Sequence, residues 1–194
     1  MVTQLSTLKA RLGLETFDTT DDNTLTNLLK LVSSRFATDC NRIFDYGSGL
    51  TLEFQADQIN LVVDRPPIQL VTAFDLKTTE AEGWLPQSSI DYLLSPQKTL
   101  IELPMPLGTS RQVGRVTYTG GFILPGGTPS GNQIALPDDL EQACIEQVAY
   151  FYQRRTQLGL VSINSGSGLV QQYQSSDLLP QVQAVLKHYE RWVN

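Results

Sequence analysis

The sequence is poor in the residues on which much protein chemistry depends. Its 194 residues include one histidine and two cysteines. Two cysteines do not build a disulfide framework in a chain of this length, so we expect Cys40 and Cys144 to be buried, reduced thiols. A zinc site needs several cysteine or histidine ligands at short spacings, and the sequence offers none. We therefore predict no bound metal and no cofactor.

Catalytic arrangements are equally scarce. His188 is the one histidine, and no serine or cysteine stands at a motif spacing from it. Asp138, Asp139 and Glu141 stand at a predicted helix start, where the helix dipole accounts for acidic residues without catalysis. The glycine-rich stretches lack the Gly-Lys-Ser/Thr ending of a nucleotide-binding loop. The sequence predicts no catalytic residues, and we do not expect an enzyme.

Long apolar runs and basic clusters are also missing. No run is long enough to cross a membrane, and the amphipathic N-terminus lacks the apolar core of a signal peptide. We therefore expect no membrane contact and a chain made in the cytoplasm. The net charge is -6, without a lysine- or arginine-rich run. Proteins that hold duplex DNA neutralise phosphates with clustered basic residues, so we do not expect tight DNA binding.

Helical spacing is what the sequence does have at both ends. The clearest run predicts a helix over about residues 22–43. Its apolar residues recur every three or four positions: Leu25, Leu28, Leu29, Val32, Phe36, Cys40 and Ile43. Weaker runs predict helices over about 3–14, 137–158 and 178–193.

Between the helices the apolar period changes to two. Residues of the stretch 48–120 alternate between apolar and polar, as in Leu50, Leu52 and Phe54, which is typical of half-buried antiparallel strands. We predict an α+β fold in which N- and C-terminal helices form a four-helix bundle with an inserted antiparallel β-meander or partial barrel.

The stretch 160–176 follows neither period. It is rich in serine and glycine, which predicts a flexible segment. It nevertheless holds six apolar residues without regular spacing: Leu160, Val161, Ile163, Leu169, Val170 and Tyr173. Apolar residues of this kind are usually covered by something, and we expect another subunit to cover them.

The order of these segments, together with several local phrases, resembles the head-to-tail connector (adaptor) family of tailed phages. The phrases span nearly the whole chain and include "TQLSTLKARLGL", "RPPIQLVTAF", "VTYTGGF", "LPDDLEQACIEQVAYFYQRRT" and "LLPQVQAVLKHYERW". The most specific are Pro66-Pro67-Ile68, Tyr118-Thr119-Gly120-Gly121 and the helix start from Leu136 to Leu140.

The resemblance implies that residues 1–194 form a single adaptor domain. It further implies a structural virion protein of the neck, between capsid portal and tail. Such a protein forms a ring of about twelve subunits under the portal protein. The ring extends the DNA channel, lets genomic DNA pass without sequence-specific binding, and provides the docking platform for the next neck or tail protein.

Candidate residues for the subunit or portal interface come from three places. They are the six apolar residues of 160–176, the pair Arg154 and Arg155, and the aromatic residues Trp84 and Tyr92. The two arginines can equally cap the end of a helix, and the two aromatic residues can equally form a carbohydrate- or peptide-binding platform. Two alternatives therefore stay open: a stopper or tail-completion neck protein, and a carbohydrate- or peptide-binding β module.

Overall fold

The structure is a computed structural model that describes residues 1–155, 162–165, 169–172 and 177–192. In the two short ranges only the backbone is described. The chain divides into two compact units. The helical unit consists of Met1–Cys40 and Pro137–Glu190, and the β unit consists of Asn41–Leu136 and Arg191–Asn194.

Among its described residues, the helical unit contains four helices. They are α1 (Leu5–Leu12), α2 (Asp22–Asp39), α3 (Asp138–Gln153) and α4 (Pro180–Tyr189). Helix α3 packs against each of the other three. Most of the spacing predicted for α2 is confirmed, because five of its seven apolar residues have no exposed surface: Leu25, Leu29, Val32, Phe36 and, directly after the helix, Cys40. The helix ends at Asp39 and not near residue 43, Leu28 is half-buried, and Ile43 is exposed.

A buried lysine ties α1 to the start of α2. Lys9 is only 3% exposed, and its ammonium group forms an ion pair with the carboxylate of Asp22. It also donates hydrogen bonds to the backbone carbonyls of Thr16 at 3.3 Å and Asp18 at 2.6 Å. A buried charge is costly unless it is paired and hydrogen-bonded, so these contacts fix the connection between the two helices.

A buried amide plays the same part at the start of α4. Gln147 of α3 has no exposed surface. Its side-chain oxygen accepts a hydrogen bond of 2.9 Å from the backbone N–H of Leu179, and its nitrogen donates one of 3.3 Å to the carbonyl of Asp177. The first backbone donors of a helix lack partners within the helix, and Gln147 supplies one just before α4 begins.

Among its described residues, the β unit contains nine strands of two to ten residues. They are β1 (Gly47–Gln55), β2 (Asn60–Val62), β3 (Ile68–Lys77), β4 (Leu85–Gln87), β5 (Leu93–Leu94), β6 (Leu100–Glu102), β7 (Val113–Gly120), β8 (Phe122–Ile123) and β9 (Ile134–Ala135). Four of them form an antiparallel sheet in the order β1-β7-β3-β4, three form a second sheet in the order β2-β6-β5, and β8 and β9 form a parallel pair. Two further strands, β10 (Ser162–Ser165) and β11 (Leu169–Gln172), pair with each other.

One apolar core holds the two larger sheets together. Along β7, Val116 and Tyr118 are buried, whereas Arg115 and Thr117 lie on the opposite face of the sheet, here called the outer face. Residues of both sheets complete this core: Phe54, Leu61, Val63, Ile68, Val71, Phe74, Ile101 and Leu103. At the end of β7 the backbone carbonyls of residues 65 and 67 approach so closely that a side chain on Gly120 would clash with them.

The predicted four-helix bundle with an inserted meander or partial barrel is wrong, although the fold is α+β. Helices α1 and α4 have 8 and 10 residues, against 18 and 16 in α2 and α3. They are too short to run alongside the longer pair as bundle helices do. The order β1-β7-β3-β4 is not sequential, so the sheet is not a meander. Periodicity identifies strands but does not say which strands pair.

Candidate subunit interface

Trp84 lies directly before β4, on the outer face of the four-stranded sheet. The guanidinium carbon of Arg115 is 4.3 Å and the ammonium nitrogen of Lys77 is 4.9 Å from the centre of its ring. Arg115 also donates hydrogen bonds of 3.0 and 2.8 Å to Oδ2 of Asp75, its register partner in β3. Cation–π contacts of this kind contribute about 1 kcal/mol each, so they hold the indole against the sheet.

Tyr92 lies on the other side of the same sheet. Its ring centre is 6.0 Å from that of Phe74, and Phe74 is a member of the buried core. Phe74 is paired with the buried Val116, whereas Asp75 is paired with Arg115 on the outer face. Tyr92 contacts Phe74 and Trp84 contacts Arg115, so the two aromatic candidates lie on opposite faces of the sheet. Trp84 and Tyr92 therefore do not form a shared binding platform.

Arg154 and Arg155 follow the last turn of α3. The guanidinium carbon of Arg154 lies 5.0 Å from the ring centre of Tyr150, and that of Arg155 lies 3.8 Å from the ring centre of Tyr152. Arg155 donates a hydrogen bond of 2.8 Å to the backbone carbonyl of Tyr152. The hydroxyl group of Tyr152 in turn donates to the carboxylate of Asp21. Arg155 thus caps a carbonyl at the helix end, and contact of either arginine with another subunit stays a prediction.

The structure describes only some of the apolar candidates of 160–176. Leu160, Val161 and Tyr173 lie outside the described residues. Ile163 belongs to β10 and is the register partner of Gln171 in β11, while Leu169 and Val170 also belong to β11. The two strands are antiparallel and run in register from Ser162↔Gln172 to Ser165↔Leu169. We call this pair the ribbon.

The free edge of β1 is a candidate that the sequence analysis missed. Among the described residues β1 pairs with β7 on one side and with no strand on the other. Thr51, Glu53 and Gln55 are exposed along it. A shallow groove of about 480 Å³ lies at the C-terminal end of β1, lined by Glu53, Phe54, Gln55, Gln58 and Val113. The available signal was a strand pattern with one charged residue and no lysine or proline, the residues that usually guard an edge.

The described residues also bear on metal binding, membrane spanning and cysteine chemistry. Within the described ranges, no group of three or more His, Cys, Asp or Glu side chains is placed to hold a metal ion. No helix in the same ranges is long and apolar enough to cross a membrane. Cys40 and Cys144 are buried thiols that form no disulfide, as predicted, and burial raises the pKa of Cys144 to about 12. The Cys144 thiol is therefore protonated at neutral pH, which makes it a poor nucleophile.

Solved structures with a similar fold come from gene transfer agent (GTA) particles. A chain of the "Neck of empty GTA particle computed with C6 symmetry" has a TM-score of 0.63 at 17% identity, covering 100% of this chain and 91% of that chain. A chain of the "Virion of native gene transfer agent (GTA) particle" has a TM-score of 0.62 at 16% identity, with coverage of 100% and 91%. A chain of the "Neck of native GTA particle computed with C12 symmetry" has a TM-score of 0.54 at 17% identity, with coverage of 100% and 93%. At these identities the likeness shows the shared fold.

The family follows from the sequence itself. A comparison with curated proteins finds no match. A family model described as head completion protein, however, matches residues 2–192, which is nearly the whole chain. The predicted connector family is thereby confirmed. The chain belongs to the head completion protein family.

Proposed function

We propose that this protein is the head-to-tail adaptor of its particle. In this proposal about twelve copies form a closed ring beneath the portal protein, extend the DNA channel towards the tail and give the next neck or tail protein its docking platform. The family match over residues 2–192 is the observation on which the proposal rests. The similar neck structures were computed with sixfold and twelvefold symmetry, which supports a closed ring.

The charge of the chain suits a channel that DNA must pass through. The net charge is -6, and the sequence contains no lysine- or arginine-rich run. An acidic surface repels DNA phosphates, so DNA slides past it without being held. In this proposal the chain makes no sequence-specific contact with the genome.

The first test is mass photometry of the chain mixed with the portal ring of the same particle. We expect a mass gain of about one adaptor per portal subunit, because a closed ring places equivalent copies around one axis. The portal ring alone and the chain alone are the controls. No gain, with both proteins folded, would contradict the adaptor function and favour a stopper or tail-completion protein that binds further from the portal.

The proposed interface has its own test. In this proposal the apolar residues of 160–176 contact the portal or a neighbouring copy, and Arg154 and Arg155 stand beside that contact. Replacing Ile163, Leu169 and Val170 by serine keeps the chain length and removes apolar surface, so we expect the mass gain to disappear. A matched variant, Ser162→Ala with Ser165→Ala, changes the same segment and should dock like the unaltered chain. Unchanged docking of the triple variant would contradict this interface.

A further inference from the structure

The two edges of the four-stranded sheet differ in how readily another strand could pair with them. We call the β4 edge, which is poorly suited to pairing, the guarded edge, and the β1 edge the open edge. At the guarded edge β4 has three residues with Pro86 in the middle, and a proline has no N–H group to donate to another strand. At the open edge β1 has nine residues, of which Leu50 to Gln55 run in regular register after an irregularity between Gly47 and Leu50, and Glu53 is the one charged residue among them. Long edges without such guards are templates for pairing with another strand.

The hydrogen-bond pattern shows which backbone groups face the open edge. The N–H of Ala56 donates to the carbonyl of Gln112 at 3.0 Å, which continues the β1–β7 register. In an antiparallel pair, residues alternate between pointing their N–H and C=O groups at the partner and away from it. Counting back from Ala56, the backbone groups of Thr51, Glu53 and Gln55 point away from β7, towards the open edge. The carbonyl of Gln55 already accepts a hydrogen bond of 2.9 Å from the N–H of Gln58, so Gln55 offers its N–H group there.

The side chains along β1 also leave room for a neighbour. Thr51, Glu53 and Gln55 are exposed along this edge. On the core side Leu50 and Leu52 pack against the apolar cluster but are only partly buried. A strand added at this edge would cover their remaining apolar surface, which is favourable in water.

The ribbon is the counterpart of this edge within the same chain. Among the described residues β10 and β11 pair with each other and with no third strand. A two-stranded ribbon is marginally stable in water without further strands or a packing surface. In a ring with head-to-tail contacts each copy presents one surface to the preceding copy and a different surface to the next. An open edge and an unpaired ribbon are two such surfaces.

We propose that β1 of each copy accepts the ribbon of a neighbouring copy as an added part of its sheet. Main-chain hydrogen bonds to Thr51, Glu53 and the N–H of Gln55 supply the contact, as in other cases of strand addition. This contact rests on the proposed ring and names the part of each copy that would form it. The partner is a second copy of this chain.

Amide hydrogen exchange tests the pairing on the unaltered chain. The amides of Thr51, Glu53 and Gln55 should exchange rapidly in the free chain and about tenfold more slowly, or slower still, in the ring assembled on the portal. Leu52 and Phe54 are internal controls, because their amides point towards β7 in both states.

Each outcome of the exchange measurement has a distinct meaning. A complete ring in which these three amides still exchange rapidly would overturn the pairing and leave the adaptor function intact. Protection that already appears when far fewer copies than portal subunits are bound would overturn a second copy as the partner and favour the portal. Failure of the unaltered chain to form a ring would overturn the adaptor function and the pairing with it.

A matched pair of variants tests the backbone contact directly. Glu53→Pro removes one outward N–H group and none of the hydrogen bonds between β1 and β7, so we expect it to lose ring formation. Glu53→Ala removes the same carboxylate but keeps the N–H group, so it should form rings like the unaltered chain. Rings from a folded Glu53→Pro variant would overturn the proposal. If that variant does not fold, the exchange measurement still decides.

Disulfide trapping identifies the strand that is added. A chain with Glu53→Cys is mixed on the portal with a second chain that has one cysteine at Ile163, Asn164, Val170 or Gln171, tested in turn. Cα atoms of directly paired residues are close enough for a disulfide, whereas the native cysteines are buried. We expect a linked dimer from at least one mixture and from neither chain alone. No linked dimer at any of the four positions, in a ring with protected β1 amides, would overturn the ribbon as the added element.

Discussion

The two units of the molecule use buried polar groups differently. The helical unit buries the charged Lys9 and the amide of Gln147 almost completely, at 3% and 0% exposure. Both side chains bond to backbone carbonyls or N–H groups of the connections between helices. The β unit also buries two charged residues, Arg42 and Asp75, at 8% exposure each. They are not members of its core cluster, which is apolar except for the hydroxyl group of Tyr118, a donor to the carboxylate of Asp64.

The difference follows from how each unit satisfies its backbone. Helices as short as α1 and α4, with 8 and 10 residues, are marginal alone in water, and their ends present backbone groups without partners. Strands obtain backbone partners from neighbouring strands, so their side chains are free to be apolar. We therefore expect the helical unit to be most sensitive to loss of polar contacts and the β unit to loss of apolar volume.

The largest expected effect is an apolar truncation in the β unit. Ile101 of β6 has no exposed surface and belongs to the core shared by both sheets. Ile101→Ala removes buried volume and should lower the free energy of unfolding by about 4 kcal/mol, whereas Ile101→Val should lower it by about 1 kcal/mol. Both tryptophans of the chain, Trp84 and Trp192, belong to the β unit. Urea unfolding followed by tryptophan fluorescence therefore reports on it. Equal losses from the two variants would contradict the apolar-core account.

Next in size is the loss of the buried lysine in the helical unit. Lys9→Met keeps the length of the side chain but leaves the carboxylate of Asp22 and two backbone carbonyls without their partner. We expect a loss of about 3 kcal/mol, because removing one member of a buried ion pair is strongly destabilising. Circular dichroism at a helical wavelength during urea unfolding measures it. Lys30→Met is the control, since Lys30 is exposed on α2. A comparable loss from the control would show that charge alone, and not burial, matters.

A smaller loss is expected from the buried amide. Gln147→Leu has nearly the same volume, yet it leaves the N–H of Leu179 and the carbonyl of Asp177 without their partner. Unsatisfied buried groups cost about 2 kcal/mol in such a position. Gln142→Leu, at an exposed site on the same helix, should change stability by less than about 0.5 kcal/mol. A stabilising Gln147→Leu variant would contradict the polar tie at the start of α4.

Sequence reasoning identified the elements better than their arrangement. The period of α2 predicted its buried face because the pattern is local and the helix has a single apolar stripe. The strands were also visible in the alternation of Leu50, Leu52 and Phe54. Nothing in that alternation says that β1 pairs with β7, more than fifty residues away. The bundle was inferred from four predicted helices, of which those over about 3–14 and 178–193 are shorter in the structure, at Leu5–Leu12 and Pro180–Tyr189.

The candidate interface shows the same limit. The aromatic pair Trp84 and Tyr92 is close in sequence, but the pleat of the sheet places the two rings on opposite faces. The partners of Trp84, Lys77 and Arg115, come from β3 and β7, and no local pattern connects them. The open edge of β1 became visible only once the order of the strands was known, because an edge is a property of the sheet and not of the strand.

The smallest expected effect separates the two units by pH. Burial raises the pKa of Cys144 in the helical unit from 9.0 to about 12. In the β unit, burial and the hydrogen bond to Asp64 raise the pKa of Tyr118 well above its ordinary value of 10.0. Each group keeps its proton more tightly in the folded state. Its stabilising contribution is therefore complete below the unfolded pKa and is lost as the pH rises towards the folded pKa.

The helical unit should lose stability first on raising the pH, because the unfolded thiol ionises one unit below the unfolded phenol. Between pH 8 and pH 10 we expect Cys144 to account for a loss of about 1.4 kcal/mol, measured as the shift of the helical urea transition. Cys144→Ala should remove that loss. Tyr118→Phe should leave it unchanged, and should reduce the pH dependence of the fluorescence-detected urea transition only above pH 10. A helical transition as sensitive to alkali in Cys144→Ala as in the unaltered chain would show that the buried thiol does not couple folding to protonation. The contrast between the units would then rest on Lys9 and Gln147 alone.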